Sequence, residues 1–165
     1  MITIRSADTV DGGPIAAIYN HFIETSIITF EEEAVSAEEI SARITQTYSE
    51  NLPYLVAEDN GCVKGYAYAS KWKGRCAYRY TVEVTVYLDP TAIGKGIGSR
   101  LYEALFERLA AQNYHMAIAG ISLPNEGSIA LHEKFGMEKV AHFKEVGYKF
   151  NRWVDVGYWQ GLIKN

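Results

Sequence analysis

The stretch from Val82 to Ser99, VEVTVYLDPTAIGKGIGS, constrains the fold of this chain more than any other. It begins as a strand, because polar and apolar side chains alternate with a period of two. It ends in a turn, GKGIG, with three glycines in five residues, and the next residues, LYEALFERLA, have helical spacing. A glycine-rich turn before a helix can direct several backbone N–H groups at one anion. The stretch therefore predicts a site for a phosphate-bearing cofactor.

Two familiar phosphate-binding motifs do not fit this turn. A Walker A loop requires G-x-x-x-x-G-K-[ST], but the position five residues before Gly94 holds aspartate, and Gly96 follows Lys95. A dinucleotide fingerprint requires G-x-G-x-x-G, and the sixth position counted from Gly94 is Ser99. The remaining interpretations are an anion-binding turn of another kind and a plain strand-to-helix turn, which would need fewer glycines.

The rest of the chain alternates between strand and helix patterns in the order β-α-α-β-β-β-α-β-α-β-β. The predicted strands are Ile2–Arg5, 54–59, 62–72, Tyr80–Leu88, Met116–Ile121, Glu138–Val146 and Trp153–Gln160. The predicted helices are Pro14–Thr25, Ala37–Glu50, a third that follows the glycine turn and ends near Asn113, and a fourth, GSIALHEKF, that Gly136 stops. We expect a single α/β domain over residues 1–165, with a central mixed β-sheet flanked by helices on both faces.

Composition favours a partner that is a small molecule. The net charge is −4 and the pI is near 5.6, without a run of basic residues that would neutralise nucleic acid. No apolar run approaches the roughly 20 residues that cross a bilayer, and the N-terminus lacks the pattern of a signal peptide. We therefore expect a cytoplasmic protein that binds neither nucleic acid nor membrane. The cysteines, Cys62 and Cys76, lack the spacing of a zinc site, and we expect both to be buried or half-buried.

Two segments are candidates for a functional site. Strand alternation places Glu83 between two threonines on the polar face of the Tyr80–Leu88 strand. The segment Ser26–Phe30 interrupts the helical pattern, and it is either a loop that lies over a site or a solvated connector with one anchoring aromatic side chain.

Taken together, these motifs resemble the GNAT superfamily of N-acetyltransferases over essentially the whole chain. VYLDPTAIGKGIGSRLYEAL followed by NEGSIALHEKFGM is similar to its acetyl-CoA site. KWKGRCAYRYTVEVTVYL, LHEKFG and VGYKFNRWVDVGYWQ are similar to its phosphinothricin and methionine sulfoximine acetyltransferase branch. The resemblance implies acetyl-CoA as the cosubstrate, no metal, and a homodimer. The aromatic segment 148–159 could supply the dimer interface, or it could fill the core of a monomer.

The resemblance also implies which residues bind the cofactor. Backbone groups of Val86 and Leu88 would pair with the pantetheine arm as a further strand would, and N–H groups of the glycine turn would hold the pyrophosphate. The residues assigned to the cofactor are Val86, Tyr87, Leu88, Gly94, Lys95, Gly96, Ile97, Gly98, Ser99, Asn125 and Lys134. Ile93 departs from the family, which usually has Gln or Arg there, so we expect weaker or differently placed cofactor contacts.

Two residues are candidates for catalysis. An α-amine is largely protonated near neutral pH, so a base must raise the fraction that can attack a thioester, and Glu83 is the best candidate. His132 stands where much of the superfamily has a tyrosine that protonates the departing thiolate, and histidine is usual there in the matched branch. His132 could donate a proton, assist the base or be a packed structural histidine. We expect His21, His115 and His142 to be structural.

The segment KWKGRCAYRY is expected to select the substrate. Arg75 offers a planar fork suited to a carboxylate or phosphinate, and Lys73 adds a second positive charge. Tyr78 and Phe30 match aromatic walls of the branch. The residues assigned to the substrate are Phe30, Lys73, Gly74, Arg75, Tyr78, Glu83, Val84 and Thr85.

The expected reaction is transfer of acetyl from acetyl-CoA to the α-amine of a small anionic amino-acid analogue, such as phosphinothricin or methionine sulfoximine, by direct attack on the thioester. One alternative is acetylation of another small amine such as a polyamine, which Lys73 and Arg75 disfavour. Another is an inactive CoA-sensing module, which Glu83 and His132 disfavour.

Overall fold

Seven strands form one mixed sheet in the computed structural model, which describes residues 1–164. The strands are β1 (Ile2–Ser6), β2 (Tyr54–Asp59), β3 (Cys62–Lys71), β4 (Thr81–Leu88), β5 (Met116–Leu123), β6 (Glu138–Lys149) and β7 (Arg152–Leu162). The helices are α1 (Gly12–Thr25), α2 (Ala37–Ser49), α3 (Ile97–Ala111) and α4 (Glu126–Lys134). This order confirms the predicted alternation, and the strands lie side by side as β1-β2-β3-β4-β5-β7-β6.

Helices pack on both faces of the sheet, as the sequence predicts. On one face, Leu101 of α3 shares a buried core with Val82 and Val84 of β4. On the other face, Tyr19 of α1 packs edge-on against Tyr87 of β4, with 5.3 Å between ring centroids. One strand serves both cores because successive residues of a strand point to opposite faces.

The sheet opens between β4 and β5, the one parallel pair of strands in residues 1–164. Only Thr81, Val82 and Glu83 of β4 pair with β5, although β4 continues to Leu88. On its other edge β4 stays paired with β3 as far as Leu88. Beyond Glu83, the backbone groups of β4 that face β5 therefore have no strand partner, and a gap forms in the middle of the sheet.

The last two strands are longer than predicted. β6 continues past Val146 to Lys149, and β7 begins at Arg152. The two residues between them, Phe150 and Asn151, have φ values of 52° and 57°, which a tight two-residue hairpin turn requires. Phenylalanine is not a typical residue at such a turn, so the sequence pattern ended β6 too early and began β7 one residue too late.

The expectation for the cysteines is wrong. Cys62 and Cys76 are both exposed, because one begins β3 beside the hairpin turn and the other lies in the exposed connection between β3 and β4. Among residues 1–164, no helix has the length and apolar character to span a membrane.

Candidate active site

The gap between β4 and β5 is the floor of a cavity of about 630 Å³. Its walls come from β4, β5, the start of α4, the loop after α1 and the β6–β7 hairpin. The predicted site residues that line the cavity are Phe30, Glu83, Val84, Thr85, Val86, Tyr87, Asn125 and His132. The fold thus gathers predicted site residues from three separate regions of the sequence, residue 30, residues 83–87 and residues 125–132, around the point where the sheet opens.

Glu83 is half-buried at the end of the β4–β5 pairing, opposite Ile118. Burial raises the pKa of its carboxyl group, and the nearby positive charge of Lys73 opposes that rise. No side chain of residues 1–164 donates a hydrogen bond to this carboxylate. A carboxyl group with a raised pKa and free oxygens in a cavity can accept a proton from a bound ligand.

His132 is 4% exposed and fully hydrogen-bonded. Its Nδ1 lies 2.6 Å from the carbonyl oxygen of Ser128, so Nδ1 carries the proton and donates it to that oxygen. Its Nε2 therefore accepts a hydrogen bond from the hydroxyl of Tyr102, 2.8 Å away. Burial lowers the pKa of His132, which keeps the imidazole neutral. The histidine lines the cavity beside Tyr102 and fixes the direction of the Tyr102 hydroxyl proton.

Tyr102 was not among the predicted site residues. It lies on α3 next to Leu101, and in the sequence it reads as one more core side chain of an amphipathic helix. It is completely buried, yet it lines the cavity beside His132. The signal that could have identified it is its hydroxyl, because a buried tyrosine usually finds a hydrogen-bond partner.

The glycine turn leads directly into α3. Gly94 and Gly96 have φ values of 80° and 78°, a left-handed conformation that glycine adopts without strain. The first N–H groups of a helix have no partner within the helix, and at α3 the N-cap residue Gly96 has no side chain that could accept from them. Gly98 has a different role, because a Cβ there would lie 3.3 Å from a side-chain carbon of Leu131 on α4. The turn combines an N–H-rich helix start with close packing of two helices.

Two other predicted cofactor residues lie close to the start of a helix. The Nζ of Lys134 donates to the hydroxyl of Ser99, 2.9 Å away, which places both beside the first turn of α3. The side-chain oxygen of Asn125 accepts from the N–H of Ser128 at 3.2 Å and so caps α4. This cap uses the oxygen of the Asn125 amide and leaves its NH₂ group available to the cavity.

The connection between β3 and β4 is separate from the cavity wall. Its residues from Lys73 to Tyr80 are exposed, and Gly74, Arg75 and Tyr78 do not line the cavity. Lys73 lies closest to the site, since its charge acts on the Glu83 carboxyl group. The predicted substrate residues are therefore divided between the cavity and this exposed connection.

The segment Ser26–Phe30 is a loop over the site rather than a solvated connector. Ile28, Thr29 and Phe30 all line the cavity, and Thr29 is buried. Within residues 1–164, no group of three or more His, Cys, Asp or Glu side chains is arranged to hold a metal ion.

Comparison with known proteins identifies the family. The family model described as acetyltransferase (GNAT) domain matches residues 4–157. The chain is 40% identical over 159 residues to phosphinothricin N-acetyltransferase of Streptomyces viridochromogenes, covering 96% of this chain and 86% of the relative. It is 36% identical over 159 residues to L-methionine sulfoximine/L-methionine sulfone acetyltransferase of Salmonella typhimurium, covering 96% and 93%.

Solved structures agree with this assignment. A GNAT superfamily phosphinothricin acetyltransferase from Sinorhizobium meliloti, solved in complex with AcCoA, has a TM-score of 0.94 and 38% identity, covering 98% of this chain and 88% of the other. An N-acetyltransferase from Staphylococcus aureus Mu50 has a TM-score of 0.96 and 34% identity, covering 99% of each chain. With a family model that spans most of its length and relatives of this similarity, the chain belongs to the GNAT family of acetyltransferases.

Proposed function

We propose that residues 1–165 form a single N-acetyltransferase domain. It moves acetyl from acetyl-CoA to the α-amine of a small anionic amino acid of the phosphinothricin and methionine sulfoximine type. The amine attacks the thioester directly, the new N–C bond replaces the C–S bond, and CoA leaves as the thiolate, which takes a proton from the solvent. The observation that carries the proposal is Glu83, a half-buried carboxyl group with a raised pKa and free oxygens at the opening between β4 and β5. The names of the relatives support the substrate class.

The fold offers a fitting position for acetyl-CoA. When bound, this cosubstrate supplies the acetyl thioester that an amine attacks. Val86, Tyr87 and Leu88 have an open backbone edge toward β5, which suits the amide groups of a pantetheine arm. The N–H groups of residues 94–99 at the start of α3 suit a pyrophosphate, with Lys134 beside them. Asn125 has an NH₂ group left for the thioester end of the cofactor.

Glu83 acts as the base. Its carboxylate accepts a proton from the α-amine, directly or through a water molecule, which raises the fraction of amine that can attack. His132 acts through Tyr102: the neutral imidazole accepts a hydrogen bond from the phenol, so the oxygen lone pairs of Tyr102 are left for groups in the cavity. In this arrangement His132 positions Tyr102 and is not itself the proton donor.

The acceptor amino acid would lie against Phe30, Val84 and Thr85. Its carboxylate or phosphinate would be attracted by the positive charges of Lys73 and Arg75. Gly74 and Tyr78 of the same connection would lie beside it. Supporting this role, the Lys73 charge acts on Glu83. The guanidinium group of Arg75 makes no hydrogen bond or ion pair within residues 1–164, and only its backbone carbonyl is engaged, by the N–H of Tyr78.

The protein is further proposed to work as a cytoplasmic homodimer without nucleic-acid or membrane partners. Tyr148, Phe150 and Trp153 at the β6–β7 turn are each more than half exposed, and burial of such a patch favours association with a second copy. Two exposed cysteines without a disulfide suit a reducing compartment.

A thiol-release assay tests the proposed reaction. Acetyl-CoA is mixed with a panel of amines that includes phosphinothricin, methionine sulfoximine, neutral amino acids and a polyamine. Release of CoA with phosphinothricin and methionine sulfoximine, and formation of their N-acetyl products by mass spectrometry, are expected. Preference for the polyamine would favour the alternative enzyme, and a flat response with intact CoA binding would favour a binding module.

A further inference from the structure

Lys149, at the end of β6, is buried without a carboxylate partner in residues 1–164. Only 2% of the residue is exposed, which is rare for lysine. Its Nζ donates to the carbonyl oxygens of Ser26 and Thr29, each 2.8 Å away. The same nitrogen lies 5.1 Å from the centroid of the Phe150 ring. Two carbonyl groups and one aromatic face in contact, together with the charge of Glu32 beyond ion-pair distance, therefore compensate the buried charge.

These contacts join two walls of the cavity. Ser26 and Thr29 belong to the loop after α1, and that loop contributes Phe30 to the cavity. β6 contributes Phe143 and Val146 to the adjacent wall. The two hydrogen bonds of Lys149 span 123 and 120 positions of the sequence. They therefore connect two segments that are far apart along the chain.

A second contact between the same segments lies two residues away from Lys149. The ring of Phe30 rests on Gly147, where an added Cβ would lie 2.3 Å from Cζ of that ring. Gly147 is not in the left-handed region, so it is required there for space and not for backbone conformation. The glycine and the lysine together determine how closely Phe30 approaches β6.

The loop after α1 is also anchored by hydrogen bonds that do not involve Lys149. Thr29 shares a hydrogen bond of 2.8 Å with the hydroxyl of Tyr19 on α1. Further along, the side chain of Asn20 makes hydrogen bonds of 2.9 and 2.8 Å with the backbone of Val35. Loss of Lys149 would therefore free the backbone of Ser26 and Thr29 from β6, while the side chain of Thr29 keeps the loop attached to α1.

We propose that Lys149 is a positioning residue for acceptor binding: it holds the Ser26–Phe30 loop against β6 and so fixes Phe30 as a wall of the acceptor pocket. The inference rests on the proposed function, because the position of Phe30 matters only if the amine acceptor occupies this cavity. The start of α3, where the pyrophosphate would bind, is not part of the contact. Lys149 should therefore control binding of the acceptor and leave binding of acetyl-CoA unchanged.

The test uses Lys149→Met, which keeps the aliphatic stem and removes the N–H donors. Lys144→Met removes the same charge from an exposed position of β6 and is the matched control. Gly147→Ala, which displaces the Phe30 ring directly, tests the same contact should Lys149→Met fold poorly. Hydrogen exchange of residues 26–30 and the KM values for acceptor and acetyl-CoA are measured for each variant.

In Lys149→Met, amide exchange in residues 26–30 should rise about tenfold. The KM for the acceptor should rise about fivefold in both Lys149→Met and Gly147→Ala, while the KM for acetyl-CoA stays within about twofold. Unchanged exchange of the loop in Lys149→Met would overturn the proposal that Lys149 positions the loop, and so would equal effects on the two KM values. Absence of turnover with every amine would instead refute the proposed function, and the exchange data would still decide whether Lys149 holds the loop.

Discussion

The hydroxyl of Tyr102 lies 2.8 Å from Nε2 of His132, and both side chains are buried against the cavity between β4 and β5. The other ring nitrogen of His132 donates to the carbonyl oxygen of Ser128. This arrangement leaves the imidazole no free proton to give away. Of the three roles that the sequence leaves open for His132, this geometry favours a packed histidine that accepts a hydrogen bond from the phenol.

Tyr102→Phe should therefore weaken the protein and slow the reaction. The change leaves Nε2 of a buried histidine without a donor, which costs about 1–3 kcal/mol of stability. We expect kcat to fall about 10- to 100-fold, while the acid limb of the pH–rate profile stays in place because it belongs to Glu83. Thermal denaturation and pH–rate measurements check this, with Tyr80→Phe, an exposed tyrosine, as the control. A variant as stable and active as the wild type would show that the pair has no such role.

The pH dependence of the reaction should report the surroundings of Glu83. A base must be deprotonated, so kcat/KM should fall as the pH drops through the pKa of Glu83, which burial raises above its ordinary value of 4.5. Lys73 lowers this pKa, and Lys73→Met should therefore shift the acid limb to higher pH. Lys71→Met removes a neighbouring charge that does not act on Glu83 and should leave the limb unmoved. Identical acid limbs in the Lys73 variant and the wild type would contradict the assignment.

The glycine turn should govern cofactor binding alone. Gly96 has a φ of 78°, and Gly96→Ala would strain the backbone by roughly 1–2 kcal/mol just before the first N–H groups of α3. The Kd of CoA from calorimetry should rise about tenfold, with little change in the acceptor KM. Gly13→Ala, where an added Cβ meets open space in α1, is the control. If Gly96→Ala bound CoA as tightly as the wild type, the turn would have no role in cofactor binding.

Arg75 should act on the acceptor although it lies outside the cavity wall. Arg75→Ala is expected to raise the KM for phosphinothricin at least about fivefold and to affect acetyl-CoA less. Arg79→Ala is a suitable comparison, because that guanidinium is already engaged with Tyr80 and the carbonyl of Cys76. Equal increases in both KM values for Arg75→Ala would indicate a structural residue.

Most of the fold follows from local patterns in the sequence. Alternation along β4 predicts that Glu83 and the valines point to opposite faces, and the structure has this arrangement. The β6–β7 turn could not be predicted in this way, because Phe150 adopts a positive φ, which is uncommon for phenylalanine. Local patterns predict a strand or helix correctly where the spacing of the buried residues matches the repeat of that strand or helix.

The site was only partly predictable, because some of its residues act through distant partners. Tyr102 reads as a core residue until its hydroxyl is seen beside His132, 30 positions later. The role of Lys149 depends on two carbonyl groups more than a hundred residues earlier. Contacts of this kind arise from the sheet topology, which no local window contains.

Replacing Glu83 by Gln tests the central claim most directly. The amide keeps the size of the side chain and cannot accept the amine proton. With phosphinothricin and saturating acetyl-CoA, kcat should fall at least about 100-fold, while the Kd of CoA remains that of the wild type. A Glu83→Gln variant that releases CoA at a near-normal rate from pH 6 to 9 would contradict the account.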